Sequence, residues 1–247
     1  MSVRGIVLAL SVPILTLAAG GARANLVQNG GFEVSGYAAS NQFGSGFGGE
    51  GVSDWTAGGG YQVYFFYSTA TSVSANSQWG EPQILSANFT PLAGGGNAFV
   101  GLDADSDYDS PLSQSISGLT VGKSYAVSFD WGGTQLTNRS GPTTEKVQVS
   151  LADGVTTQTH TTLTDSEPSQ GFSGWQAQTF RFVATSSTET LSFLAQGTPN
   201  GLPPFVVLDN VSMTEVPEPA AWALMIVGLA GLGGAARVRR RKTPIAA

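Results

Sequence analysis

Apolar and polar residues alternate in short runs along the second half of the chain. In KSYAVSFDW, Tyr125, Val127, Phe129 and Trp131 share one side and Ser128 and Asp130 the other. In EKVQVSLAD, Val147, Val149 and Leu151 alternate with Gln148 and Ser150. FRFV and TLSFLA set Phe180 and Phe182, then Leu191 and Phe193, on an inward face. A repeat of two is the period of a strand, whose successive side chains point to opposite faces. Gly, Ser and Asp turns separate these runs, and no long stretch carries a helical period. The pattern predicts an all-β fold, an antiparallel β-sandwich. Residues 25–216 are long enough for one domain with a sizeable core, with no internal repeat and no second domain. Residues 36–60 are so rich in glycine that they read as a long surface loop.

The two ends follow other rules. Arg4, an apolar run over 5–19 and then Ala22-Arg23-Ala24 form a positive start, an apolar middle and a small-residue cleavage site. That layout predicts a signal peptide over 1–24, handled by the secretion machinery, and a mature chain starting at Asn25. An uncleaved membrane anchor is the alternative. Near the other end, residues 220–236 hold no charge, which makes a helix of about 26 Å at ~1.5 Å per residue, the short end of a bilayer span. Trp222 would lie at headgroup level, and Arg237, Arg239, Arg240 and Arg241 would hold the far end in the cytoplasm.

Charge separates these ends from the body. The whole chain carries −6, but residues 25–216 hold only four basic residues (Lys123, Arg139, Lys146, Arg181) against sixteen acidic ones, a balance of −12. Phosphate backbones need Lys and Arg to displace their counterions, so nucleic acid is excluded as a partner. With no cysteine in the chain, disulfides, cysteine nucleophiles and thiolate metal sites are excluded too. His160 is the single histidine; on the threonine-rich run TTQTHTTLT it reads as a surface residue, and His-cluster zinc motifs are ruled out.

Pro217-Glu218-Pro219, an apolar segment holding Trp222 and an arginine-rich end resemble the PEP-CTERM sorting signal of Gram-negative bacteria. The resemblance covers only the last 30 or so residues, 217–247. It implies recognition by an exosortase-type membrane enzyme, with processing near Pro217-Glu218-Pro219, in a host that makes exopolysaccharide. It further implies an inner-membrane-anchored precursor that is then delivered to the cell envelope, surface or extracellular matrix. A permanent single-helix anchor is the plainer alternative.

A second resemblance covers the body. NLVQNGGFE at 25–33, GGNAFVGLD and PLSQSISGLTVGKSYAVSFDW in the middle, and FVVLDNVSMTEV at 205–216 are similar in order to the galactose-binding-like jelly rolls of many carbohydrate-binding modules. In such modules the first and last strands lie close together and hold a structural calcium. Carried onto this chain, the resemblance implies ligands at the Gly31 carbonyl and the Glu33 and Asp209 carboxylates. Calcium takes six to eight oxygens, so a Glu and an Asp brought together would supply its two anionic ligands. The alternative is that Glu33 and Asp209 are turn or strand-end residues bonded to backbone.

A weaker calcium candidate is DADSDYDSPLSQ, with Asp103, Asp105, Asp107 and Asp109 at alternate positions. It is not an EF-hand: Tyr108 and Gln114 stand where the turn glycine and the bidentate glutamate belong, and no helices flank it. A solvated acidic turn is the plainer reading. In YQVYFFY, Tyr61, Val63, Phe65 and Tyr67 face one way and Tyr64 and Phe66 the other. One set suffices for a core, which leaves Tyr64 and Phe66, together with Trp79 beside Gly80, as candidates for stacking on sugar rings. No serine elbow or phosphate loop marks an enzyme, although sixteen acids leave a carboxylate-based glycan hydrolase open. The expected function is therefore a non-catalytic surface or matrix module that binds exopolysaccharide or another glycan. The alternatives are a structural or adhesive protein without a ligand and a hydrolase.

Overall fold

The computed structural model describes residues 24–44, 51–76 and 83–217. The expected signal peptide and the expected helix at 220–236 lie outside the described residues. Within them the fold is all-β, and no helix is long and apolar enough to cross a membrane.

Two sheets are stacked, and every named strand pair is antiparallel. The first contains β1 (Asn41–Phe43), β3 (Gln62–Phe66), β4 (Ala98–Asp103), β12 (Phe205–Glu215), β6 (Ser124–Thr134) and β10 (Gln176–Val183), neighbours in that order. The second orders β2 (Thr56–Ala57), β5 (Leu112–Ser117), β11 (Thr188–Thr198), β7 (Thr143–Ala152) and β8 (Thr157–Thr161), and β9 (Asp165–Glu167) also pairs with β7. From β4 to β7 the chain changes sheet at each strand, so hydrophobic faces from distant segments meet between the layers.

The alternating strands do what their period dictates. Tyr125, Val127, Phe129 and Trp131 of β6 meet Val147, Val149 and Leu151 of β7 and Leu191 and Phe193 of β11 in the main core. Phe182 is buried in it and Phe180 packs against its edge. The expected mature N-terminus runs beside the last strand: the Leu26 N–H donates to the Met213 carbonyl at 2.9 Å, and the Val211 N–H to the Gly30 carbonyl at 2.8 Å. A register shift between Asp209 and Ser212, with Asn210 at φ 52°, bends β12 there. Bulges of this kind re-aim side chains at the places where ladders are interrupted.

Two expectations need correction. The first concerns β3, where neither aromatic set is exposed. Tyr64 lies in the main core at 1 % exposure, and Val63 and Phe65 belong to a second core on the outer face of the same sheet. That outer face is covered by Ala70, Leu85, Phe89 and Leu136, and Phe99 stacks between Phe65 (5.4 Å) and Phe89 (5.2 Å). A strand buried on both faces has no exposed set to offer. The second concerns residues 36–60, which are more than a surface loop. They supply β1 and β2 and put Phe43, Val52 and Trp55 into the core, Trp55 lying 5.3 Å from Phe32. A few apolar anchors hold a segment whose glycine content hides them.

Candidate functional site

Two acidic places, each with a buried aspartate, lie toward opposite ends of β4. The first joins the N-terminal segment to the bulge of β12. The Glu33 carboxylate accepts hydrogen bonds from the backbone of Asn97 (2.7 Å) and Ala98 (3.1 Å) and from the Asn97 amide (3.1 Å). Asp209, fully buried, accepts from the Tyr67 hydroxyl at 2.7 Å and from the Asn210 N–H at 2.6 Å. Gly31 lies between them, its absent Cβ 3.9 Å from both Asp209 Oδ1 and Glu33 Cγ. Glycines make the room. A Cβ on Gly96, which sits at φ +76°, would come within 2.1 Å of Glu33 Oε1, and one on Gly95 within 2.6 Å of Asp209 Oδ2.

Burial pushes the Asp209 carboxyl up to about 7; the Tyr67 and Asn210 hydrogen bonds oppose this, and the Glu33 and Asp130 carboxylates add to it. Burial, and then Asp209, raise the Tyr67 hydroxyl as well. A buried Asp209 beside the exposed Glu33 carboxylate puts two like charges together, and anionic oxygens are the ligands a hard divalent cation prefers.

The second place is a cavity of about 190 Å³ past the other end of β4, lined by Tyr61, Gln83, Asp103, Tyr108, Arg139 and Pro203 with Leu136. Backbone pairing fixes its walls. The Tyr61 N–H donates to the Tyr108 carbonyl at 2.8 Å and the Asp103 N–H to the Tyr61 carbonyl at 3.0 Å. The turn after β6 is held by Gln170, whose amide donates to the carbonyls of Leu136 and Arg139. Burial pushes Asp103 up to about 7; the Asp105 N–H, at 2.9 Å from Oδ1, lowers it, the Asp105 and Asp109 charges raise it and Arg139 lowers it. Arg139 Nε is buried without a hydrogen-bond partner among the described residues. Tyr108 is 53 % exposed at the rim.

The four alternating aspartates do not act as one group. Asp103 serves the cavity, while Asp105 ties its own loop to the next by accepting from Asp107 N–H (3.0 Å) and Gly201 N–H (2.6 Å). Asp107 is exposed and Asp109 half-buried. Among the described residues no three Asp, Glu or His side chains are gathered around a metal position.

Of the proposed sugar-stacking residues, Tyr64 shows only an edge and Phe66 is half-buried. Both line a groove with Glu33, Tyr67 and Asn97, so they adjoin the acidic site and form no open platform. Trp79 lies outside the described residues. His160 is exposed on β8, its ring stacked 5.2 Å from Phe180 and its Nε2 3.0 Å from the Arg181 carbonyl, where it bridges the edges of the two sheets. Sequence reasoning missed Tyr61, Gln83 and Arg139 as cavity residues. The one available signal was Arg139, a rare cation in an acidic body.

Pro217 is exposed just after β12; Glu218, Pro219, Trp222 and the arginines at 237, 239, 240 and 241 lie outside the described residues. Residues 215–241 match the family described as the PEP-CTERM protein-sorting motif. This chain carries that sorting motif. The motif marks a secreted precursor anchored in the membrane. Over 195 residues the chain is 29 % identical to Halomucin of Haloquadratum walsbyi, covering 79 % of itself but about 2 % of that far longer relative. Structural neighbours are carbohydrate-binding modules of the jelly-roll kind. TmCBM61, solved with beta-1,4-galactotriose, aligns at TM-score 0.42 and 13 % identity over 78 % of this chain and 99 % of that one. The CBM22-1 xylan-binding domain of Paenibacillus barcinonensis Xyn10C aligns at 0.37 and 15 % over 81 % and 100 %.

Proposed function

We propose that this is an exported, non-catalytic glycan-binding β-sandwich, delivered to the cell surface or matrix by an exosortase-type enzyme that reads the sorting motif. The cavity at Asp103 takes the sugar, and a calcium ion held by Glu33, Asp209 and the Gly31 carbonyl braces the sandwich at the other end of β4. The observation that carries this reading is a cavity lined together by Arg139, the Asp103 carboxyl whose charge it offsets, and two tyrosines. A donor and an acceptor side by side suit the vicinal hydroxyls of a sugar, and the apolar rings of Tyr61 and Tyr108 suit its C–H face. With a body balance of −12 and Asp107 exposed nearby, the favoured glycan is neutral, because polyanions would be repelled.

The test is retention of the purified protein on the producing organism's own exopolysaccharide, with calcium and with chelator. Saturable retention that weakens about tenfold in Tyr108→Ala, without release of reducing ends, supports the reading. A folded protein that is not retained supports a structural matrix role, and released reducing ends support a hydrolase. Chelator should lower thermal stability, and through it retention, without altering the cavity.

A further inference from the structure

The two ends of the sandwich carry different surfaces. The cavity lies where β12 begins, with Asp103 paired to Phe205, and the chain leaves at the far end of that strand, where the Val216 N–H donates to the Ser124 carbonyl at 2.8 Å. The 11 residues of β12 set these ends roughly 30 Å apart at ~3.3 Å per residue. Strand register gathers the turns at 118–123, 153–156 and 184–187 around the exit. Glu215 pairs with Tyr125, Val183 with Ser124, Thr188 with Ser117 and Thr190 with Ala152.

Two of these turns hold a valine out to solvent. The Lys123 N–H closes the first on the Thr120 carbonyl at 3.1 Å, with Gly122 at φ 82° in its third position, which puts Val121 on the corner at 62 % exposure. The Tyr125 hydroxyl accepts from the Thr120 N–H at 2.8 Å and fixes this turn to a core strand. In the second, the Asp153 carboxylate accepts from the N–H groups of Val155 (2.8 Å) and Thr156 (2.6 Å), and Val155 stands 95 % exposed. The Thr185 hydroxyl donates to Asp153 at 2.9 Å and ties that turn to the end of β10, where Val183 is 45 % exposed. Turns favour Gly, Asn, Asp and Ser, and valines this exposed gain nothing from packing. Three of the seven exposed large apolar side chains among the described residues are at this one end.

Charge is divided along the same axis. The exit end has Asp153, Glu189 and Glu215 against Lys123 and Arg181. The cavity end has the four aspartates of 103–109 with Glu145, Asp165 and Glu167 against Arg139 and Lys146. The chain therefore leaves by the end that an anionic lipid surface repels least. Four residues lead from Val216 to Ala220, where the uncharged run begins, a reach of at most about 14 Å. In the membrane-anchored precursor that the sorting motif marks, the exit end is held at the lipid surface.

We infer that this end is a lipid-docking surface, on which Val121 and Val155, with Val183, enter the headgroup region of the bilayer that holds the precursor. Shallow apolar insertion beside a membrane anchor supplies a second, weak attachment. It sets the sandwich upright, with Pro217 at the surface and the cavity roughly 30 Å above it. This contact is separate from glycan binding and does not require the cavity to take a sugar.

The test places the full-length chain in vesicles of phosphatidylethanolamine and phosphatidylglycerol and reads a polarity-sensitive fluorophore. The chain has no cysteine, so Thr156→Cys and Tyr108→Cys each give a single label, one beside Val155 and one at the cavity rim. The label at position 156 should be shielded several-fold from an aqueous quencher and should be quenched by headgroup spin labels, while the label at position 108 stays open to water. Adding Val121→Asp and Val155→Asp should remove the shielding; both valines are exposed, so the fold tolerates the change. Equal aqueous quenching at the two positions, or shielding that survives the two aspartates, would overturn the inference. So would shielding seen only in the producing organism's own membranes, which would assign this surface to the sorting enzyme. A chain that fails to float with the vesicles would overturn it too, by removing the anchor it rests on.

Discussion

Asp103 and Asp209 are both buried, both pushed up to about 7 chiefly by burial, and both near the ends of the central pair β4 and β12. Their surroundings differ. Asp103 borders a cavity and shares it with Arg139, whereas Asp209 is packed against Glu33, Asp130 and the Tyr67 hydroxyl. Desolvation alone therefore does not decide what a buried carboxyl does; the sign of its neighbours and the space left beside it decide. A carboxyl with a cation and an opening presents hydrogen bonds to a ligand. A carboxyl among other carboxyls, sealed by glycine-tight turns, is suited to hold a cation.

The largest effect that sharpens this contrast is on stability. Tyr64→Ala, at the Asp209 end, should cost about 3–5 kcal/mol by urea denaturation, as loss of a buried aromatic does. Tyr108→Ala, at the rim of the cavity, should stay within about 0.5 kcal/mol. Equal costs would erase the distinction between a packed end and an open one.

Next comes pH. A carboxyl whose folded value lies above its unfolded one holds its proton more tightly when folded. Its contribution is therefore fully present below about 4 and is lost as pH rises through about 7. For Asp103 this amounts to about 2–4 kcal/mol across that window. In chelator, Asp103→Asn should flatten the fall in unfolding free energy between pH 4 and 7 relative to wild type. An unchanged slope would mean that Asp103 ionises freely and that the cavity is wetter than its walls imply.

A smaller effect concerns the brace. Calcium at about a hundredfold excess over its dissociation constant should add about 2.7 kcal/mol, seen as a rise of roughly 5–10 °C in Tm. Glu33→Gln should remove that increment, whereas Arg139→Gln should leave it intact. An increment that survives Glu33→Gln would move the brace elsewhere.

How much of the molecule is legible in its sequence depends on sequence distance. Strands β6, β7 and β11 can be read because alternation is a local signal, whereas the pairing of the first and last segments is implied only by the resemblance to jelly-roll modules that the GGFE and VVLDN stretches carry. The double burial of β3 is not legible. YQVYFFY is apolar on both sides, and nothing local says that Ala70, Leu85 and Phe89 cover the outer one. The cavity is hidden for a stronger reason, since Tyr61, Gln83, Asp103, Arg139 and Pro203 come from five separate segments. Glu145 carries an unused clue: it shares the inward parity of Val147, Val149 and Leu151. An acid in register with core valines is a conflict that the strand period already exposes.

The central claim is that the Arg139–Asp103 cavity is the glycan site, and one comparison tests it most directly. Wild type and Arg139→Gln are applied in calcium to the producing organism's exopolysaccharide, after their urea midpoints have been shown to agree. The account predicts at least a tenfold loss of retention in the variant, about 1.4 kcal/mol. Equal retention by the two proteins would contradict it and would place glycan binding, if the protein binds at all, on another surface of the sandwich.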